Sequence, residues 1–311
     1  MELKKGMYVR HPSNLIHQNE LGIGLVVEDQ INETAVVFFE LKLKIITVST
    51  KNINFMVVQD PGDAQILLNN ALLNPGKDRE PFPCVLNTFL KRFSGGLHGA
   101  VYLRGERNYK ADASALAMSY FSKDVFEEKI VNQDWVLLAT QLKKIFSINL
   151  LSKYERIKLA DALNDEKNHK DICQCFYMLL HHEKKLSSRI DLAAKKLEKF
   201  ELDKWPIVSY LLFAVFPDKY MFVKPTMTKE AAENRGFDIQ YSSQVNGNTY
   251  EKVLLLSQDL FKRLQNDERN QLHPRDMIDV QGFMWCTFAN GWTNDEILEF
   301  EQKISLVEME E

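Results

Sequence analysis

The spacing of apolar residues changes near residue 60, and this change constrains the fold more than any other feature of the chain. Before it, apolar residues fall in short runs rich in Val, Ile and Phe, separated by turn-forming residues, which is typical of β-strands. The five runs are Met7–Arg10, Gly22–Glu28, Thr34–Glu40, Leu43–Ser49 and Asn54–Val58. Short strands at this density, with glycines where a strand would bend, predict a small β-barrel.

After residue 82 the apolar residues recur at intervals of three and four, which is the spacing of one face of an α-helix. Two clear stripes begin at Trp135 and at Tyr250. Ser152 followed by Glu155 has the spacing of a capping box and predicts the start of another helix. We expect about ten helices and no strand in this part of the chain.

Turn-forming residues mark the boundary between the two parts. Proline and glycine occur at Asp60–Gly62 and again at Asn74–Gly76, where they favour a linker. The sequence therefore predicts a mainly α protein with three segments. These are a five-stranded β-barrel at residues 1–60, a linker at residues 61–82, and a globular all-α domain at residues 83–311 that ends in an acidic helix.

Charge does not decide the class of partner. The formal net charge is −4, and between residues 290 and 311 seven acidic residues accompany a single lysine. The remainder is slightly basic, so charge alone neither favours nor excludes a nucleic acid.

Targeting segments and metal ligands are not expected. The opening residues lack the apolar stretch of a signal peptide, and no apolar run is long enough to span a membrane. The spacing of the cysteines is typical of neither a disulfide framework nor a zinc site. These are Cys84, Cys173, Cys175 and Cys286. We expect a cytoplasmic protein with free thiols, no metal and no cofactor.

The N-terminal motifs G-M-Y-V-R-H-P, L-G-I-G-L-V-V-E and A-V-V-F-F-E resemble a small SH3/Tudor-like domain found in bacteria. Similar barrels occur at the end of PcrA/UvrD-type helicases and in regulators that bind RNA polymerase. The matching positions are Gly6, Val9, His11, Pro12, Gly22, Gly24, Val26 and Phe38. Because such barrels bind proteins and nucleic acids alike, the resemblance implies an interaction module.

The helical part also has a resemblance. An uncharacterised bacterial family, in which this kind of barrel precedes a helical domain, is similar in the segments WPIVSYLLFAVFPDKYMFVKP and HPRDMIDVQGFMW. Members of that family are encountered among DNA-directed or defence genes. The resemblance therefore implies an association with DNA-directed or defence genes, and it does not imply a particular activity.

A glycine-rich stretch from Ser94 to Lys110 is the first candidate site. Its four glycines up to residue 105 predict an adaptable loop. Arg104, Arg107, Tyr109 and Lys110 would then supply the cations and rings that suit phosphates and unstacked bases. If the loop is exposed, alanine at the three cations should leave folding nearly intact. The alternative is a surface loop whose arginines pair with neighbouring acids.

The second candidate is the proline-bracketed segment from Phe216 to Thr226, which we expect to be an extended loop between two helices. Lys219 and Lys224 could bind phosphate there, or its aromatic residues could fill the core while the lysines reach water. A basic helix near residues 184–199 adds Lys195 and Lys196, which either follow a phosphate backbone or form a solvated face.

The third candidate is the pair Asp276 and Asp279. Asp276 would lie at the start of a helix, and Arg275 could pair with Asp279 one turn later. This pattern is typical of a structural helix start. It also fits a general base that activates water at a nucleobase or phosphodiester, as in helix–hairpin–helix glycosylases, although their hairpin signature is missing.

These candidates leave three hypotheses. In the first, the chain is a nucleic-acid-binding protein, with DNA the favoured ligand, and the barrel binds a protein partner or nucleic acid. In the second, it is a glycosylase-like or hydrolytic enzyme that uses Asp276 or Asp279 with Arg104 or Lys224. In the third, it is an adaptor that binds only proteins. None involves a membrane.

Overall fold

A computed structural model of the chain describes residues 2–12, 21–41, 44–51, 53–62, 64–65, 68, 82–289 and 291–310. Most of the predicted linker, residues 61–82, lies outside these described residues. The protein is mainly α and contains one antiparallel sheet of five strands, so the predicted fold class is confirmed at this level.

The five predicted strands are present near their expected positions. They are β1 (Tyr8–Arg10), β2 (Gly24–Ile31), β3 (Thr34–Phe39), β4 (Lys44–Ser49) and β5 (Met56–Val57). Their order in the sheet is β4-β3-β2-β1-β5. Since β4 and β5 are the two edges, the pairing among the described residues does not close into a barrel.

Both faces of the sheet carry buried apolar side chains. Alternation along β3 directs Val37 to one face, with Val9 and Val26, and Phe38 to the other, with Leu25. Ala64 and Leu68, which follow the sheet in the chain, are also buried against this second face. Because both faces are buried there, apolar residues are consecutive at 25–27 of β2 and at 35–39 of β3.

The chain divides into two compact units. The first is Met1–Lys91 with Glu230–Asp238, and the second is Arg92–Lys229 with Ile239–Glu311. The first unit contains the sheet. The predicted boundaries at residues 60 and 83 stay predictions, because the segment between them is largely undescribed.

Helices form nearly all of the second unit, and the helical residues 82–91 and 230–235 belong to the first. In chain order the α-helices are α1 (Phe82–Arg92), α2 (Ala100–Tyr102), α3 (Asn108–Phe121), α4 (Lys123–Val131), α5 (Trp135–Phe146), α6 (Lys153–Ala162), α7 (His169–His181), α8 (Leu186–Leu197), α9 (Trp205–Val215), α10 (Pro225–Arg235), α11 (Gly247–Gln265), α12 (Met277–Phe288) and α13 (Asn294–Glu310). The stripe at Trp135 lies in α5, and the stripe at Tyr250 lies in α11. The capping box is confirmed, because Ser152 and Glu155 exchange both side-chain hydrogen bonds at the start of α6.

Helix α9 is the centre of the second unit. All eleven of its residues are buried, which is expected of a helix that is apolar on every side. Ser114 of α3 donates a hydrogen bond to the carbonyl of Ala214 at 2.7 Å. The hydroxyl of Ser209 accepts one from the backbone N–H of Val223 at 2.9 Å. Helix α9 therefore holds both α3 and the loop that ends at Lys224.

No helix in the described part of the chain is both long and apolar enough to cross a membrane.

Candidate functional site

Three residues of the predicted nucleic-acid surface meet at one cavity in the second unit. Tyr109 and Lys110 reach it from α3, and Lys224 reaches it from the loop after α9. The cavity has a volume of about 630 Å³, which is within the range of small-ligand sites. Trp285 of α12 and Trp292, just before α13, also line it. The fold thus brings together side chains that are far apart in the sequence.

Residues 100–110 are helical, so the prediction of an exposed loop is wrong for most of this segment. Only Ser94 to Gly99 resembles a loop, with Gly95 and Gly96 at positive φ and a short 3₁₀ turn. Gly105 serves close packing instead of flexibility, because a Cβ there would lie 2.9 Å from the ring of Trp292.

A π-helical turn, Leu103–Arg107, joins α2 to α3. Such turns are rare and occur frequently at functional sites, because they redirect side chains within a helix. Glu106 and Arg107 are consecutive in this turn. Glu106 is directed into the cavity, and Arg107 binds the start of α12.

Glu106 and Lys110 form a buried ion pair at the cavity wall. Each residue is only 2% exposed, so the expectation that Lys110 is a surface cation is wrong. Lys110 donates hydrogen bonds to Glu106 and, at 2.5 Å, to the side-chain oxygen of Gln281. The indole N–H of Trp292 donates to the other oxygen of Glu106 at 3.0 Å. These contacts satisfy the carboxylate and neutralise its charge.

Lys224 is the second cation of the cavity, and it is held differently. Its ammonium lies 4.1 Å from the centre of the Trp285 ring, in a cation–π contact. Among the described residues no carboxylate lies within salt-bridge distance of it. Burial, followed by the charge of Lys110, lowers the pKa of Lys224, although Glu106 opposes this shift. Lys224 therefore has no carboxylate partner, although the described lining contains two carboxylates, Glu106 and Glu296, beside its two lysines.

Asp276 and Asp279 lie in a network with two arginines. Arg107 donates two hydrogen bonds to Asp276, at 2.8 and 2.7 Å, and also pairs with Asp279 at 2.9 Å. Arg275 pairs with Asp279 at 2.8 Å, as its position one turn earlier predicted. Although burial disfavours its charge, the hydrogen bonds to Asp276 and the charge of Asp279 raise the pKa of Arg107.

The same network gives both aspartates structural partners. Asp276 is the N-cap of α12 and accepts from the N–H groups of Ile278 and Asp279. Asp279 is fully buried, and the hydroxyl of Tyr102 donates to it at 3.1 Å. A general base needs a free oxygen within reach of its substrate. This geometry supports a role for both carboxylates in joining the π-helical turn to α12.

The other predicted surface cations are not part of the cavity lining. Arg104 is exposed on the π-helical turn, and Lys219 is exposed in the Phe216–Lys224 loop. Lys195 and Lys196 are exposed in the last turn of α8, whose buried face includes Ile190 and Ala193.

The lining residues that had not been proposed from the sequence include Gln281, Trp285 and Trp292. Gln281 and Trp285 are four residues apart and therefore share a face of α12. That spacing was readable from the sequence. The position of Trp292 was not, because it depends on a hydrogen bond to Glu106, 186 residues away.

A second groove, between α5 and α6, has a different character. Its volume is about 520 Å³, and it is mainly apolar, with Lys143, Lys153 and Arg156 among its lining residues. It has no tryptophan or tyrosine in its described lining. The first cavity is therefore the better candidate for a site that recognises both charge and a planar ring. Within the described residues, no group of three or more His, Cys, Asp and Glu is placed to hold a metal ion.

Known proteins give no assignment for this site. The chain matches no protein-family model, no curated protein and no solved structure. The chemistry of the cavity therefore has to be argued from its own side chains.

Proposed function

We propose that this chain binds single-stranded nucleic acid and takes one unstacked nucleotide into the cavity lined by Lys110, Lys224 and Trp285. The observation that carries the proposal is the convergence of two lysines and three aromatic rings on one cavity of about 630 Å³. Sites for single strands combine cations for the phosphates with aromatic side chains for the bases.

The position of Lys224 at the cavity favours an anion beside it. Glu106 pairs with Lys110, and Glu296, the second carboxylate of the described lining, accepts hydrogen bonds from Thr293. Lys224 therefore has no carboxylate partner among the described residues. A phosphate beside Lys224 would stabilise its charged form, which burial disfavours. The ligand therefore gains from an ion pair with a lysine that is already partly desolvated in the folded protein.

The walls of the cavity favour a planar group. Tyr109, Trp285 and Trp292 are each partly accessible and line the same space. Stacking of a base on such rings contributes about 1–3 kcal/mol per base and depends little on sequence. We therefore propose a binder of single strands with weak base preference, with DNA as the favoured ligand.

For residues 1–60 we propose the SH3/Tudor-like module that the sequence resembles, with a protein as its partner. Support comes from the position of β1 between β2 and β5 and from the two apolar clusters on opposite faces of the sheet. In this proposal the two units have separate tasks.

Replacing Lys224 with methionine should weaken the binding of a fluorescently labelled oligothymidylate by the full-length chain. If Lys224 contacts one phosphate, the slope of log affinity against log salt should become shallower by about 0.7. Methionine retains an apolar stem over Trp285 and removes a cation that has no carboxylate partner, so we expect the melting temperature to be unchanged or slightly raised. Fluorescence anisotropy at several salt concentrations measures the slope.

Lys219→Met is the matched control, because Lys219 belongs to the same loop but is exposed and outside the cavity lining. The salt slope of this variant should match that of the unmodified chain. Equal losses of slope in the two variants would mean that the strand binds along the exposed loop, and the cavity assignment would be wrong.

A further inference from the structure

We propose that Lys224 is a nucleophile that forms an imine with an aldehyde held in the cavity, an activity that rests on the proposed nucleotide site. The ligand class is the ring-opened sugar of an abasic nucleotide in a single strand. This sugar carries an aldehyde next to phosphate, and it lacks the base that would otherwise fill the space between the aromatic walls.

The geometry fixes the amine of Lys224 at the cavity. The three preceding residues, Met221–Val223, are buried, and the N–H of Val223 is bonded to Ser209 of the central helix. The side chain itself lies against the Trp285 ring. These contacts restrict the conformations of a long, flexible lysine side chain. A bound aldehyde would therefore react with an amine that is already positioned, at a smaller cost in conformational entropy.

The surroundings also favour the reactive form of the amine. Only the neutral amine attacks a carbonyl, and a lysine is activated when it is desolvated or lies near another cation. Burial, followed by Lys110, lowers the pKa of Lys224, whereas the carboxylates of Glu106 and Glu155 oppose this shift. The Trp285 ring acts in the opposite direction, because it attracts the charged form. Lys219, exposed in the same loop, lacks this combination.

The reaction needs no further reactant. The lone pair of the Lys224 nitrogen forms a bond to the aldehyde carbon, and the carbonyl oxygen becomes a hydroxyl group. The two hydrogens of the amine leave with that oxygen as water, and a carbon–nitrogen double bond remains. The Glu106–Lys110 pair lines the same cavity and can exchange protons with the hydroxyl as it leaves.

The test uses the full-length chain and a single-stranded oligonucleotide with one abasic site. Borohydride reduces an imine by adding hydride to its carbon, which converts the adduct into a stable secondary amine. We expect a covalent complex on a denaturing gel and, after digestion, the modification at Lys224. An oligonucleotide with a tetrahydrofuran in place of the abasic sugar has no aldehyde and should give no complex.

Two variants separate the nucleophile from its neighbours. Lys224→Arg retains a positive charge but should lose the adduct, because a guanidinium does not form this imine at neutral pH. Lys219→Arg should retain it. As the pH is lowered from alkaline values, adduct formation at Lys224 should persist to lower pH than at exposed lysines, because its pKa is lowered.

The outcomes also separate this proposal from the proposed function. Tight binding of the abasic strand without an adduct at Lys224 would contradict the nucleophile and leave the nucleotide site intact. Labelling spread equally over Lys219 and Lys224 would also contradict it. An adduct at Lys224 with a free aldehyde such as pyridoxal phosphate, but no binding of any oligonucleotide, would support the nucleophile and contradict the nucleic-acid site.

Discussion

Replacing Lys110 with methionine should destabilise the fold by about 3–5 kcal/mol, because it leaves a buried carboxylate without its cation. Glu106 is 2% exposed, and after the replacement only the Trp292 N–H would remain as its hydrogen-bond donor. The free energy of unfolding from urea denaturation at neutral pH measures the effect.

A double variant provides the control. Changing Glu106 to glutamine together with Lys110→Met removes both charges, so stability should recover in large part, since uncharged replacements of a buried pair are often tolerated. A loss below about 1 kcal/mol for Lys110→Met alone would be typical of an exposed pair and would contradict the buried ion pair.

The structure also changes the expectation that alanine at Arg104, Arg107 and Lys110 would leave folding nearly intact. Arg107 and Lys110 form buried ion pairs, so their replacement should destabilise the fold.

Asp279→Asn should destabilise the chain by about 3 kcal/mol, because the carboxylate is fully buried and pairs with two arginines. Asparagine has nearly the same shape, so the loss reports the charge and its hydrogen bonds. This value is at the lower end of the stability losses that follow when a buried ion pair is broken. The reason is that the guanidinium of Arg275 is partly exposed and can be hydrated after its partner is removed. Urea denaturation again measures the change.

Asp276→Asn is the matched control for this variant. Asparagine is also a good N-cap, and Asp276 is less buried, so we expect a loss of about 1 kcal/mol. If the two variants lose equal stability, Asp279 is not the main connection between the π-helical turn and α12. An Asp279→Asn chain that keeps its stability would reopen the interpretation of this residue as a catalytic base.

Local signals in the sequence predicted the local structure. The strands followed from β-type apolar runs, and the capping box at Ser152 followed from a side chain three residues away. Such features depend on neighbouring residues and can be read directly. The closure of the sheet is different, because it depends on pairing between distant edge strands that no short motif specifies.

The candidate site was predictable only in part, and the glycines explain why. Gly105 suggests flexibility when it is read alone, yet it allows Trp292 to approach a helix from a distant part of the chain. Lys110 looked exposed because its contact with Gln281, 171 residues away, could not be read from the sequence. Residue types predicted the chemistry of Tyr109, Lys110 and Lys224, but only the packing of α3, α9 and α12 brings them to one cavity.

The most direct test of the nucleotide site is photocrosslinking with an oligothymidylate that carries a single 5-iodouracil, followed by peptide mapping. We expect the crosslinks to fall on the aromatic residues Tyr109, Trp285 and Trp292. Lys224→Met should reduce their yield, and Lys219→Met should not. Crosslinks confined to the sheet or to α8, with none at these three residues, would contradict the proposed nucleotide site.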